Sequence, residues 1–110
     1  MYFKQIEGKD LEENLEYFNV LDVRTKEEFD SGHIKNAIHI PYDKVVERKD
    51  EISLDKPLVI YCRTNRRSEL SATMLMNEGF SDLIIAPGVE LYDYTLERWC
   101  CKMNKSSPNH

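Results

Sequence analysis

An α/β domain built on a mostly parallel, five-stranded sheet is the fold class this sequence predicts. Short apolar runs alternate along it with helix-patterned stretches, the order that places helices between parallel strands. Two of the runs, Leu58-Val59-Ile60-Tyr61 and Leu83-Ile84-Ile85-Ala86, are continuously apolar, as strands buried on both faces are. The length, 110 residues, suits one domain that buries roughly two-thirds of the surface its unfolded chain exposes.

Strands are expected at residues 2–6, 19–23, 37–40, 58–61 and 83–86, and helices at 11–18, 26–30, 45–49, 67–78 and 91–99. Thr25 with Glu28 three positions on makes a capping box, which sets a helix start just after Asp22-Val23-Arg24. Gly32 is placed to close that helix with a left-handed cap. The longest helix ends at Gly79, and Phe80 follows in the position of the hydrophobic contact that accompanies such an ending. Within it Leu70 and Met74, Ser71 and Leu75, and Ala72 and Met76 are i,i+4 pairs, a broad face suited to lying on a sheet. Residues 102–110 are polar, contain Pro108 and are expected to be disordered, which leaves 1–101 as the domain.

The net charge of -5 argues against nucleic acid or an anionic membrane as a partner. No apolar run approaches the length of a membrane span, and residues 1–7 lack the basic-then-apolar pattern of an export signal. The three cysteines, Cys62, Cys100 and Cys101, form no metal-ligand or CxxC spacing. An odd number of cysteines without an export signal fits free thiols in a reducing compartment, so a cytoplasmic location is expected, with no metal and no cofactor.

The chemistry concentrates in Cys62-Arg63-Thr64-Asn65-Arg66-Arg67-Ser68. Cys62 follows a buried strand and precedes a helix, and in open α/β sheets ligands bind at that carboxyl end. Unpaired N–H groups of the turn and of the first helical residues, reinforced by the helix dipole, stabilise an anion there. The same surroundings lower the pKa of a thiol from about 8.5, which makes Cys62 a nucleophile. Arg63 and Arg66 are expected to reach toward an anionic substrate, and Arg67 to brace the turn through Asp22 or Glu28. Asn65 supplies the positive φ that a turn of converging amides needs.

Around this loop the sequence resembles a single-domain rhodanese, a sulfurtransferase family. The loop Cys62-Arg63-Thr64-Asn65-Arg66-Arg67-Ser68 is similar to the family's C-R-x-G-x-R-S pattern. Upstream, Leu21-Asp22-Val23-Arg24, Glu27-Glu28-Phe29 and Gly32-His33-Ile34-Lys35-Asn36-Ala37-Ile38-His39-Ile40-Pro41 resemble its L-D-V-R, E-E-F and G-H-I-x-x-A-x-x-I-P segments. The resemblance runs from Phe3 to Trp99. It implies a three-layer fold with helices on both sheet faces, and a loop in which Arg63, Thr64, Asn65, Arg66, Arg67 and Ser68 line the substrate. It also implies a mechanism: Cys62 takes the outer sulfur of an anionic donor such as thiosulfate, or of a sulfur-relay protein, and passes it to a thiol or to cyanide. Two departures stand out. Asn65 replaces the loop glycine, and Pro87-Gly88-Val89-Glu90-Leu91-Tyr92 replaces G-G-x-x-x-W, which bears on substrate shape more than on chemistry.

The rival readings are a protein phosphatase or arsenate reductase of this fold, and a non-catalytic binding module. The phosphatases carry Cys-x5-Arg, because a tetrahedral oxyanion needs a wider cradle, whereas Cys62 and Arg67 are Cys-x4-Arg. Binding modules typically lose the cysteine or the basic residues, and both are present. Asp22 and Arg24, at the end of their own strand, are expected to hold the loop by charge-assisted hydrogen bonds. His33 and His39 are expected in a turn and an edge strand, away from Cys62, which argues against a Cys–His protease.

Overall fold

The computed structural model describes residues 3–97. Strand β1 (Lys4–Gln5) leads into helix α1 (Gly8–Glu13) and a 3-10 turn at Leu15–Tyr17. Strand β2 (Asn19–Asp22) is followed by α2 (Lys26–Ser31), β3 (His33–Ile34) and β4 (Ile38–His39). Further 3-10 turns, Tyr42–Lys44 and Lys49–Glu51, precede β5 (Leu58–Tyr61), α3 (Arg66–Asn77), β6 (Leu83–Ile85) and β7 (Leu96–Glu97).

Five strands form one parallel sheet in the order β1-β6-β5-β2-β4. The centre, β5, pairs with β2 in the register Leu21↔Ile60 and Asp22↔Tyr61. Because strand side chains alternate, β5 feeds two cores. Leu58, Ile60 and Cys62 join Leu21, Val23, Ala72 and Leu75 beneath α3, while Val59 and Tyr61 join Leu11, Val20, Ile34 and Tyr94 on the α1 side. This is the expected α/β domain with helices on both faces.

Local chemistry accounts for the well-placed boundaries. The capping box is formed: Glu28 N–H donates to Thr25 Oγ1 at 3.2 Å, and Thr25 N–H donates to Glu28 Oε1 at 2.9 Å. Gly79 ends α3 with φ 97°, and Phe80 N–H reaches back to the Leu75 carbonyl at 3.0 Å. That is the Schellman arrangement, which glycine adopts at little cost.

Four expectations are corrected. Gly32 has φ 162°, ordinary extended backbone, so it ends α2 without a left-handed cap. The helix expected at 11–18 begins earlier, at Gly8, and stops where the Asn14 side chain takes the Asp10 carbonyl at 2.8 Å; the rest is a 3-10 turn. Residues 45–49 form turns rather than an α-helix, too few residues to meet the cost of helix nucleation. Residues 91–97 are not helical either, and Leu96–Glu97 pairs antiparallel with His33–Ile34, a two-stranded ribbon not anticipated. There Tyr92, Tyr94 and Leu96 alternate with Asp93, Thr95 and Glu97, a period of two that reads as strand. Trp99, Cys100, Cys101 and the tail at 102–110 lie outside the described residues. Among the described residues, no helix is long and apolar enough to cross a membrane.

Candidate functional site

The central strand delivers Cys62 to the carboxyl edge of the sheet, on the α3 face, where the residue is fully buried. Ser68, in the first turn of α3, closes over its sulfur: Ser68 N–H donates to Sγ at 3.4 Å, and the thiol donates to Ser68 Oγ at 3.6 Å. The Ser68 hydroxyl in turn donates to the Asn65 carbonyl at 2.9 Å, which fixes its orientation. Between Cys62 and Ser68 the chain makes one tight reversal. Asn65 carries it with φ 77° and ψ −14°, the left-handed geometry that asparagine tolerates. No described residue accepts a hydrogen bond from the backbone N–H groups of residues 63–67. A short run of N–H donors thus lies in the turn that links the sulfur-bearing residue to the positive end of a 12-residue helix.

The arginines divide their work unevenly. Arg67 turns from the mouth to grip Glu28 with both terminal nitrogens, at 3.0 and 3.2 Å. Glu28 thus joins two element starts, capping α2 and anchoring α3. Burial pushes its carboxyl pKa up, but the Arg67 guanidinium and then Thr25 N–H outweigh this and hold it at about 2. The same pair raises the pKa of Arg67. Arg63, expected at the mouth, has its Nε bonded to Glu90 and its Nη1 4.0 Å from Glu28. Arg66 and Thr64 are exposed, and no hydrogen bond or ion pair joins the Arg66 side chain to another described residue.

A second segment, residues 86–90, lies along the cysteine turn. Val89 N–H donates to the Cys62 carbonyl and Glu90 N–H to the Arg63 carbonyl, each at 3.0 Å. Gly88 N–H donates to Asn65 Oδ1 at 2.8 Å, so the side chain that replaces the loop glycine also ties the two segments together. Gly88 is required by contact. A Cβ there would stand 2.2 Å from the Arg63 carbonyl oxygen. Behind the segment, Tyr94 donates its hydroxyl to the Pro87 carbonyl at 2.6 Å, and burial raises its phenol pKa.

Asp22 and Arg24 sit side by side in the buried layer beneath. Arg24 Nη2 lies 2.7 Å from Asp22 Oδ2 and also donates to the Gly32 carbonyl. Tyr61 donates its hydroxyl to Asp22 Oδ2 at 2.6 Å and accepts from Ile34 N–H at 3.0 Å. Burial, and then the Asp22 carboxylate, raise the pKa of that phenol, which keeps it a donor. Among the described residues this network bonds to the β3 segment and to β5, and not to the side chains or N–H groups of residues 62–68. The pair therefore supports the floor of the site through Tyr61, rather than the cysteine turn directly.

His33 lies in β3 rather than a turn, and His39 in the edge strand β4. Both rings stack on Phe29, at centroid distances of 3.9 and 4.6 Å, and their nitrogens face the Phe29 and Arg24 carbonyls. Neither contacts Cys62. Two concavities, about 400 and 290 Å³, open beside Leu58 and Leu83 at the amino ends of β5 and β6, at the opposite end of the sheet from the sulfur.

The resemblance places Gly88 and Glu90 in a segment that bears on substrate shape, without the contacts they make here; Tyr94 was not anticipated as part of the site. The alternation of Tyr92, Tyr94 and Leu96 is the one sequence signal that could have placed Tyr94 inward. Nothing in the sequence couples Glu90 to an arginine 27 residues away.

The Rhodanese-like domain family matches residues 7–99. The putative sulfur carrier protein YrkF of Bacillus subtilis is 37% identical over 75 residues, 67% of this chain but 40% of that protein, so the chain spans well under half of that relative. Thiosulfate sulfurtransferase GlpE of Pseudomonas syringae is 35% identical over 77 residues, 69% of this chain and 73% of that one. The crystal structure of a rhodanese-like domain protein from Staphylococcus aureus superposes with a TM-score of 0.76 at 28% identity, covering 87% of this chain and 98% of that one. With the sheet, the buried cysteine at its carboxyl edge and the tight turn into α3 all in place, this chain belongs to the rhodanese-like domain family.

Proposed function

We propose that this protein is a sulfurtransferase that carries a sulfane sulfur on Cys62. The observation that carries the reading is the setting of Sγ: buried at the carboxyl end of the central strand, with the Ser68 N–H on it and, in the turn that follows, loop amides that donate to no described residue. The Cys62 sulfur attacks the outer sulfur of a small anionic donor such as thiosulfate. A new S–S bond forms as the donor's S–S bond breaks, and sulfite leaves with the bonding pair. A thiol or cyanide then attacks the terminal sulfur of the persulfide, which restores the Cys62 thiolate. No base is needed for these steps once the thiolate is present, and no metal or cofactor takes part.

Ser68 orients the sulfur. The N–H groups of Arg63, Thr64, Asn65, Arg66 and Arg67 offer hydrogen bonds to the anion, and Arg66 adds charge at the mouth. Asp22 and Arg24 keep the floor rigid. Sulfur is favoured over phosphate by the four-residue spacing between Cys62 and Arg67, and by the Arg67 guanidinium being held by Glu28. Relatives named as a sulfur carrier and as thiosulfate sulfurtransferases support the same chemistry. A sulfur-relay protein is an equally suitable donor, and a reducing cytoplasm suits a free Cys62. Nucleic acid and membrane have no part in this reading. The test is turnover of thiosulfate with cyanide. Wild-type protein forms thiocyanate and Cys62→Ser protein does not; thiocyanate formed equally by the serine variant would refute the role of Cys62.

A further inference from the structure

The charges at the mouth do not match the loop's composition. Three arginines fall in residues 63–67, yet two of them are answered by carboxylates: Arg67 by Glu28, and Arg63 by Glu90. Glu90 is held in place by its own N–H, which donates to the Arg63 carbonyl at 3.0 Å, so its side chain and that of Arg63 leave the same pair of backbone positions. Both side chains are about half exposed, 55% for Arg63 and 51% for Glu90. The pair therefore forms on the surface of the mouth, where it tunes charge without anchoring the fold. Of the three arginine side chains in residues 63–67, Arg66 alone has no carboxylate partner among the described residues.

We propose that Glu90 sets the charge class of the sulfur donor: by occupying Arg63 it tilts the site from dianions such as thiosulfate toward singly charged sulfane-sulfur donors, the persulfide and thiosulfonate class. This rests on the sulfurtransferase reading of Cys62. Electrostatic energy scales with the charge of the ligand, so neutralising one carboxylate at the mouth helps a dianion about twice as much, in free energy, as a monoanion. For a persulfide R–S–SH, the Cys62 thiolate takes the terminal sulfur as the donor's S–S bond breaks. R–S⁻ leaves with the electron pair; in the singly charged form R–S–S⁻ the negative charge travels with the sulfur transferred, and in R–S–SH the proton does. Thiosulfate and methanethiosulfonate provide a matched pair for the test, since the second carries a methyl group where the first carries a charged oxygen. One releases sulfite and the other methanesulfinate, and both leave the same persulfide on Cys62.

The experiment measures the rate of sulfur loading onto Cys62 by intact mass, at low donor concentration and low ionic strength, for wild-type and Glu90→Gln protein. The expected result is a gain of about threefold with thiosulfate, the scale of an exposed ion pair, and of less than about twofold with methanethiosulfonate. Both gains shrink in high salt. A purely structural role for Glu90 would move both donors by the same factor and leave the salt dependence unchanged, and that result overturns the proposal. Loading of the wild-type protein by both donors with no change on Glu90→Gln overturns this proposal alone. Loading by neither donor overturns the sulfurtransferase reading and this proposal with it.

Discussion

Asn65 serves the site twice, through its backbone and through its amide. Its φ of 77° makes the reversal between Cys62 and α3, and its Oδ1 holds the Gly88 N–H at 2.8 Å over the loop. Glycine, the residue usual at this position in the family it resembles, would keep the first service and lose the second. Since Cys62 is fully buried beneath these two segments, the latch bears on access to the sulfur. Asn65→Gly is therefore expected to fold and to speed the modification of Cys62 by a small neutral thiol reagent by several-fold, followed as loss of free thiol mapped to Cys62. Unchanged labelling would show that the Asn65 amide does not restrain the 86–90 segment. Glycine also fits the φ, so the substitution isolates the side chain.

The buried pair below the site is the second case at this scale. Asp22 is wholly buried and Arg24 nearly so. Removing one partner of such a pair leaves an uncompensated charge, which costs about 3–5 kcal/mol. Asp22→Ala also removes the acceptor of the Tyr61 hydroxyl. A loss of that size is expected in urea unfolding, and a loss below 1 kcal/mol on the same scale would mean the network adds little. Residue types made much of this legible in the sequence. The positive-φ role of Asn65 and the Thr25–Glu28 box follow from local chemistry within a few positions, and the bracing of Arg67 by an acid was legible although Glu28 lies 39 positions away. The Asn65–Gly88 bond and the Arg63–Glu90 pair join positions more than 20 apart and depend on where β6 releases the chain.

At the scale of elements, Glu28 is the joint between α2 and α3. Its pKa in the folded protein, about 2, lies below its ordinary value of 4.5. A depressed carboxylate contributes stability that is fully present above the unfolded value and is lost as pH falls through the folded one. Stability should therefore decline between roughly pH 4.5 and 2, and Glu28→Gln should flatten that part of the curve. Thermal unfolding followed across this range tests it, and an acid limb identical in the variant would exclude Glu28 as its source. The capping box read from the sequence located this joint. What could not be read was the fate of residues 91–97. Tyr92 and Tyr94 fall within the helix expected at 91–99, yet they alternate as a strand does, with Tyr94 fastened to the Pro87 carbonyl. Period two and period 3.6 are hard to separate over so few residues.

Across the whole molecule, an acidic chain folds so that one edge of its sheet is lined with donors. The chain carries a net charge of -5, while the turn after β5 brings one sulfur to the start of α3 through amides that donate to no described residue. Alternation in β5 sets this up, because it places Cys62 under α3 and Tyr61 on the opposite face, over the Asp22–Arg24 pair. Two concavities lie at the other end of the sheet, while the chemistry is marked by donors and by the sulfur. The alternation of strands and helices was legible; the order of the strands in the sheet and the short β3–β7 ribbon were not, because order depends on long-range pairing and two-residue strands leave almost no pattern.

The central claim is that Cys62 accepts and holds a single sulfur atom. Intact-mass measurement after treatment with thiosulfate, followed by fragmentation to locate the change, tests it most directly. The expected result is the gain of one sulfur on Cys62, removed again by cyanide and absent from Cys62→Ser protein. A protein that gains no sulfur, or gains it only at another residue, would contradict the account.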